Sequence, residues 1–176
     1  MANNGGHTDT DMGLEDIFKE MDKLKSMCVK VGVTEDVGSQ TVEGSTATLA
    51  QIAAWNELGV LGPPMSQNGG GKWFIPPRPF IRGWVDGRRE HIQKTQDKLC
   101  ALVAAGKLKA DTAMRRLGEY AQSGVKSYFR NGDFTPNADS TIAKKGSSKP
   151  LIDNGVLKNS IRYQVIDSPA SAVSEE

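Results

Sequence analysis

Two cysteines, two histidines and no long apolar run mark what this 176-residue chain does without. Cys28 and Cys100 lie far apart with no CxxC spacing, which argues against a disulfide framework and suits reducing conditions. No apolar stretch approaches the roughly 20 residues that span a bilayer, so no membrane is expected. The opening MANNGGHTDTD has neither a basic start nor an apolar core, and a signal peptide is not expected. Charge of one sign is lacking too: 22 Lys and Arg face 21 Asp and Glu, a net charge of +1, so no global basic field points to nucleic acid. The expected setting is the cytoplasm, or a particle assembled there.

Catalytic and metal-binding constellations are equally thin. His7 falls in a polar terminus, and His91 lies on the charged side of a long helix. Glu90, its neighbour in sequence, points elsewhere. Gly69, Gly70, Gly71 and Lys72 superficially resemble a phosphate loop, but the spacing fails and Trp73 follows where Ser or Thr would hold magnesium. Neither Ser127 nor Ser160 has the setting of a nucleophile elbow. Cys100, beside Leu99 on a helix, reads as a small core residue. No cofactor, metal or catalytic residue is assigned, and the chain is not expected to be an enzyme.

What is present is a patterned domain between two polar ends. Residues 1–12 and 168–176 read as flexible tails, and 13–167 as one domain. Leu14, Ile17, Phe18, Met21 and Leu24 recur at helical spacing over 13–27. Val29, Val31 and Val33 alternate as a strand, and so do Ile161, Tyr163 and Val165. Residues 35–45 suit a loop or a weak strand. Thr46 or Thr48 can cap a short helix that Gly59 ends. Residues 66–72 read as loop. Pro76, Pro77 and Pro79 stiffen an extended arm, and Pro79 can begin the next helix. That helix shows Ile81, Val85, Ile92, Leu99 and Leu102 on one face and ends at Gly106. Asp111 or Thr112 can cap a second, with Met114, Leu117, Ala121, Val125 and Phe129 as its stripe. Gly118 and Gly124 inside it each cost about 1 kcal/mol of helix propensity, a cost explained by close approach to a neighbour. Asp153 can cap a brief helix at Val156 and Leu157. The predicted fold is α+β: a small mixed or antiparallel sheet packed against a long antiparallel helical hairpin.

Some residues suggest contacts rather than chemistry. Glu57 is either solvated or buried with a cationic partner; Arg78 or Arg82 can supply one, and a Glu57–Arg78 pair would fix the proline arm. Trp73, Phe74, Phe80 and Trp84 cluster around that arm, as core residues or as interface anchors. Lys144, Lys145 and Lys149 form a basic loop that can touch DNA phosphates or simply be solvated.

Four segments in order carry a family resemblance: Asn56, Glu57, Leu58 and Gly59; then Ile75, Pro76, Arg78, Pro79 and Phe80; then Pro136, Ser140, Thr141 and Ile142; then Lys149, Pro150, Leu151, Asp153, Gly155, Leu157, Ser160 and Ile161. Over about residues 45–166 the chain resembles the virion-morphogenesis and tail-completion proteins of long-tailed bacteriophages, which include neck and minor tail components. Leu58 stands where an aromatic is common, Asn154 where Thr is frequent, and residues 60–74 lengthen the arm. The resemblance implies a non-enzymatic virion subunit of the neck or upper tail, in a homo-oligomeric ring of expected sixfold symmetry. It would complete the tail and mediate head–tail joining. Its implied partners are the connector or adaptor, the tail terminator and the tail tube, with possible DNA in the lumen. The contact surfaces expected from it are Trp73, Phe74, Ile75, Pro76, Pro77, Arg78, Pro79 and Phe80 of the arm, and Leu151, Asp153 and Leu157 of the second box. The alternative is a DNA-contacting connector module that grips the genome end through Lys144, Lys145 and Lys149, aided by Arg88 and Arg89.

Overall fold

The first and last strands of the chain lie side by side. In the computed structural model, which describes residues 13–41, 46–64, 72–137, 143 and 155–167, strand β1 (Met27–Val33) pairs antiparallel with β4 (Ile161–Asp167). Their register runs from Met27 opposite Asp167 to Val33 opposite Ile161. Between them come the short helix α2 (Glu35–Gly38), helix α3 (Leu49–Leu58), strands β2 (Val60–Pro64) and β3 (Lys72–Ile75), and the long helices α4 (Arg82–Ala104) and α5 (Ala110–Asn131). Helix α1 (Leu14–Lys25) precedes β1, and a short helix α6 (Val156–Ser160) leads into β4. The fold is α+β, with the β1–β4 sheet packed on α5, and α5 packed on α4.

Two differences from the sequence reading stand out. Residues 35–38 are a helical turn, not a strand, and Thr41 bridges to Thr48. Strands β2 and β3 form a second antiparallel pair, separate from the first, in a stretch expected to be loop and stiff arm. Prolines are compatible with it because each strand of a two-stranded ribbon keeps one unpaired edge, where a missing N–H costs no ladder bond. The proposed cap at Asp153 lies outside the described residues.

The core forms where α4 and α5 meet the sheet. Phe80 and Ile161 are fully buried, with Val125, Phe129, Trp84 and Ala53 around them. Phe80 meets Phe129 edge to face, with centroids 5.0 Å apart. The two glycines of α5 mark close approach, as their helix cost suggests. A methyl at Gly118 would lie 2.1 Å from the Tyr163 ring, and one at Gly124 would lie 2.3 Å from Trp84. Cys100, expected in the core, is exposed, on a helix that buries only Trp84 and Val103.

Helix ends are closed by partners distant in sequence. Thr48 caps α3 through a reciprocal box with Gln51, as a Thr followed by Gln at this spacing allows. Helix α4 ends in a left-handed Gly106, φ 68°, with Gly106 N–H donating to Val103 O and Lys107 N–H to Leu102 O, a Schellman closure. Helix α5 is not capped by Asp111 or Thr112. Its first amide, at Ala110, donates to Glu20 Oε2 of α1 at 2.7 Å, and Lys109 occupies the cap position. Asp111 is instead engaged by Lys23 of α1, Nζ to Oδ2 2.6 Å.

That pair gives α1 a pH window. The hydrogen bond with Lys23 holds the Asp111 carboxyl below its ordinary value, and the same bond raises the Lys23 ammonium. A carboxyl lowered in the folded state contributes stability above its unfolded pKa, near 4, and loses it as the pH falls through the folded value. The raised lysine contributes below its unfolded pKa, near 10, and loses it as the pH rises through the folded value. The docking of α1 is therefore expected to loosen below about pH 4 and again above about pH 10. Amide exchange within α1, followed across both limits, should show this, and Lys23→Met should remove both dependences.

Candidate functional site

The region to which the sequence directs attention is built around the junction of α3, the proline arm and the start of α4. Gly59 turns the chain out of α3 with φ 74°. A side chain there would lie 2.9 Å from Pro77 and 3.1 Å from the Ile75 carbonyl, so only glycine lets the returning arm pass this close. The arm is then fastened from both sides. Arg78 N–H donates to the Asn56 carbonyl at 2.6 Å. The Glu57 carboxylate accepts from the backbone N–H of Ile81 and of Arg82, each at 2.9 Å, and so binds the opening turn of α4. A carboxylate is well matched to free amides at a helix start, where the backbone dipole is positive.

Arg78 does not pair with Glu57. It is buried, at 6% exposure, and its guanidinium turns the other way. Nε donates to Thr135 O at 2.8 Å, and one terminal nitrogen to Pro136 O and Asn137 Oδ1, each at 3.2 Å. The expected ion pair is thus replaced by two separate clasps: Glu57 binds backbone amides, and Arg78 binds two backbone carbonyls and the Asn137 side-chain oxygen, which a carboxylate and a planar fork fit. Burial lowers the Arg78 pKa from its ordinary value. The clasp role expected of the pair survives in these two residues acting apart.

The expected contact surface of the arm divides in two. Arg78 and Phe80 are buried within the protomer, Phe80 completely, so neither offers a surface to a partner. Phe80 is drawn in because it begins the turn onto α4, facing Phe129 across the core. Ile75, Pro76 and Pro79 are partly exposed and Pro77 is exposed. Phe74 is 63% exposed. Trp73 is a residue of β3. Leu157 of α6 packs partly buried against the core cluster. Leu151, Asp153, Lys144, Lys145 and Lys149 lie outside the described residues, as do Ser140, Thr141 and Ile142.

One feature was not read from the sequence. Leu61 of β2 is paired opposite Phe74 of β3, so their side chains share a face of the ribbon. Leu61 is 62% exposed, and Leu58, which ends α3 just before the ribbon, is 64% exposed. Leu61 and Phe74 thus present an exposed apolar pair on the ribbon beside the segments that Glu57 and Arg78 fasten, with Leu58 exposed where α3 ends. The VLGPP and KWFI runs carried this signal only if taken as a hairpin, and the intervening Gly-rich segment obscured it.

His91 is exposed on α4, as expected. Among the described residues no group of three or more His, Cys, Asp and Glu side chains could hold a metal ion. Among them also, no helix is long and apolar enough to cross a membrane. Fold and site together define a helix-rich α+β protein whose distinctive region is a clasped arm beside a ribbon with an exposed apolar pair. Comparison of the chain with protein-family models, curated proteins and solved structures finds no match in any of the three.

Proposed function

We propose that this protein is a structural virion subunit of the neck or upper tail of a long-tailed phage, which completes the tail and mediates head–tail joining as a member of a homo-oligomeric ring, non-enzymatically. The reading starts from the ordered resemblance at Asn56–Gly59, Ile75–Phe80 and Gly155–Ile161. The observation that carries it is the exposed apolar pair of the ribbon, Leu61 opposite Phe74, with Leu58 at the end of α3, each more than 60% exposed. A patch of large apolar side chains on an arm held stiff at its base suits docking, since little conformational entropy is lost on binding. The matched residues Glu57, Arg78 and Phe80 then serve as the base that holds the ribbon in place.

Leu61→Asp together with Phe74→Asp is expected to leave the fold intact, because both side chains are largely outside the core. Anchors of this kind are worth about 2 kcal/mol or more each to an interface. In a phage carrying the double variant, filled heads and unattached tails should accumulate, visible by electron microscopy, with few infectious particles. A normal yield of complete virions from a folded double variant would refute the reading.

A further inference from the structure

Among the described residues the strands form two sheets of two strands each, and the edges of the two sheets differ. Those of the β2–β3 ribbon are blunted. Pro63 and Pro64 stand in β2, the register shifts between Leu61 and Pro64, and Pro76 and Pro77 follow β3. Prolines and irregular pairing of this kind keep a strand edge from adding another chain. The β1–β4 sheet has neither. Both its strands run seven residues without proline, in one unbroken register.

One hydrogen bond tells which backbone groups point out of this sheet. Tyr163 N–H donates to Gln122 Oε1 of α5 at 3.0 Å, so Val31 and Tyr163 form a non-bonded pair of the ladder. Odd-numbered residues of both strands therefore direct N–H and C=O outward. On β4 the Gln122 side chain fills the middle of that outer edge. On β1 no described residue pairs with the outward groups of Met27, Val29 or Val31. All three residues are half-buried. An unblunted strand edge with free donors and acceptors is a template for a further strand.

We infer that β1 pairs with β1 of a second copy, antiparallel about a two-fold axis at Val29, to make a four-stranded sheet in the order β4, β1, β1, β4. The open edge is β1 itself, so a second copy brings a strand with the same free groups, and the contact is self-complementary. Its register follows from the side chains. Centring on Lys30 would set two ammonium groups directly opposite each other, which is unfavourable. Centring on Val31 would use the Val33 carbonyl, which α2 approaches: it lies 3.9 Å from the place of a methyl on Gly38. Centring on Val29 avoids both. Val29 then faces Val29, Met27 faces Val31, and Lys30 faces the uncharged Cys28. Met27, Val29 and Val31 exchange roughly six backbone bonds with the second copy. A two-fold contact closes on itself and builds no ring, so the inference is separate from the ring proposed above and does not rest on it.

The test is sedimentation of the full chain, combined with cross-linking. The wild type should form a dimer that dissociates on dilution. In a background of Cys28→Ser and Cys100→Ser, mild oxidation should trap Val29→Cys as a disulfide-linked dimer, since facing residues of a bonded pair stand about 5.5 Å apart. Val31→Cys in the same background should not link, because its counterpart lies roughly 13 Å away along the strands. Cys28→Lys sets a second ammonium opposite Lys30 and should weaken the dimer at least about threefold. Cys28→Glu sets a carboxylate there and should tighten it by about the same factor. Circular dichroism checks that each variant folds. If the Cys28 variants do not, Val29→Pro replaces them; it removes an outward N–H and no bond to β4, and should be monomeric. A wild type that stays monomeric at its highest soluble concentration overturns the inference. So does a dimer that Val29→Cys fails to link, that Val31→Cys links equally well, or that the charge at position 28 leaves unchanged. Virion assembly plays no part in these readouts, so their failure is distinct from failure of the phage role.

Discussion

Arg78→Ala is expected to lower the stability of the fold by about 2–3 kcal/mol, a fall in melting temperature of roughly 5–10 °C for a chain of this size. The guanidinium is buried and holds three acceptors, Thr135 O, Pro136 O and Asn137 Oδ1. Alanine leaves those oxygens to compete for whatever water can enter, and it leaves a void as well. Arg78→Lys should recover only part of the loss, because an ammonium cannot reproduce the planar fork that reaches both the 135 carbonyl and the pair at 136 and 137. A thermal melt of the three proteins decides this. An Arg78→Ala protein as stable as the wild type would mean that the clasp does not hold the 133–137 segment. The consequence for assembly experiments is direct: a defect in an Arg78 variant reports a weakened protomer first, so docking should be probed at Leu61 and Phe74 instead.

Gly124→Ala is expected to destabilise the protein by about 2 kcal/mol, even though alanine is the better helix former by about 1 kcal/mol. The new methyl would lie 2.3 Å from Trp84, which is buried and cannot swing out without opening the α4–α5 interface. Gly118→Ala meets the Tyr163 ring at 2.1 Å, but Tyr163 is only half-buried and can yield, so its effect should be smaller. Gly87→Ala is the control of opposite sign. Nothing lies within 4 Å of a methyl there, so the substitution should stabilise α4 by up to about 1 kcal/mol. Chemical denaturation of the three variants gives the order Gly87→Ala above wild type, then Gly118→Ala, then Gly124→Ala. An unchanged or raised stability for Gly124→Ala would show that α4 and α5 are not packed as closely as described.

The elements that could be read in the sequence are those whose information is local. Alternation at Val29, Val31 and Val33 and at Ile161, Tyr163 and Val165 gave both strands of the main sheet, and the two glycines in a helical stripe announced close contacts that the rings of Tyr163 and Trp84 then supplied. Thr48 with Gln51 is a cap visible within four residues. What was hidden depends on tertiary placement. Glu20 and Glu57 each bind the first amides of a long helix, but nothing near them in sequence says so, since the helix starts they serve are brought to them by the fold. For Glu57 the charge of Arg78 was the nearest partner in sequence terms, whereas backbone amides were the nearest in space. The β2–β3 ribbon was missed because proline argues against a central strand and says nothing against a pair made only of edges.

Pairing β1 with β4 also ties the completeness of the chain to its ability to fold. During synthesis β1 emerges early, yet the strand it pairs with among the described residues, β4, is made only after both long helices. Until then Val29, Val31 and Val33 have no ladder, and the floor beneath α5 is missing, a non-local requirement that slows closure of the sheet. A product cut short before Ile161 would keep its long helices but display an unmatched strand, a form prone to aggregate or be degraded. The topology thereby acts as a length check, admitting to the folded pool only copies translated through β4.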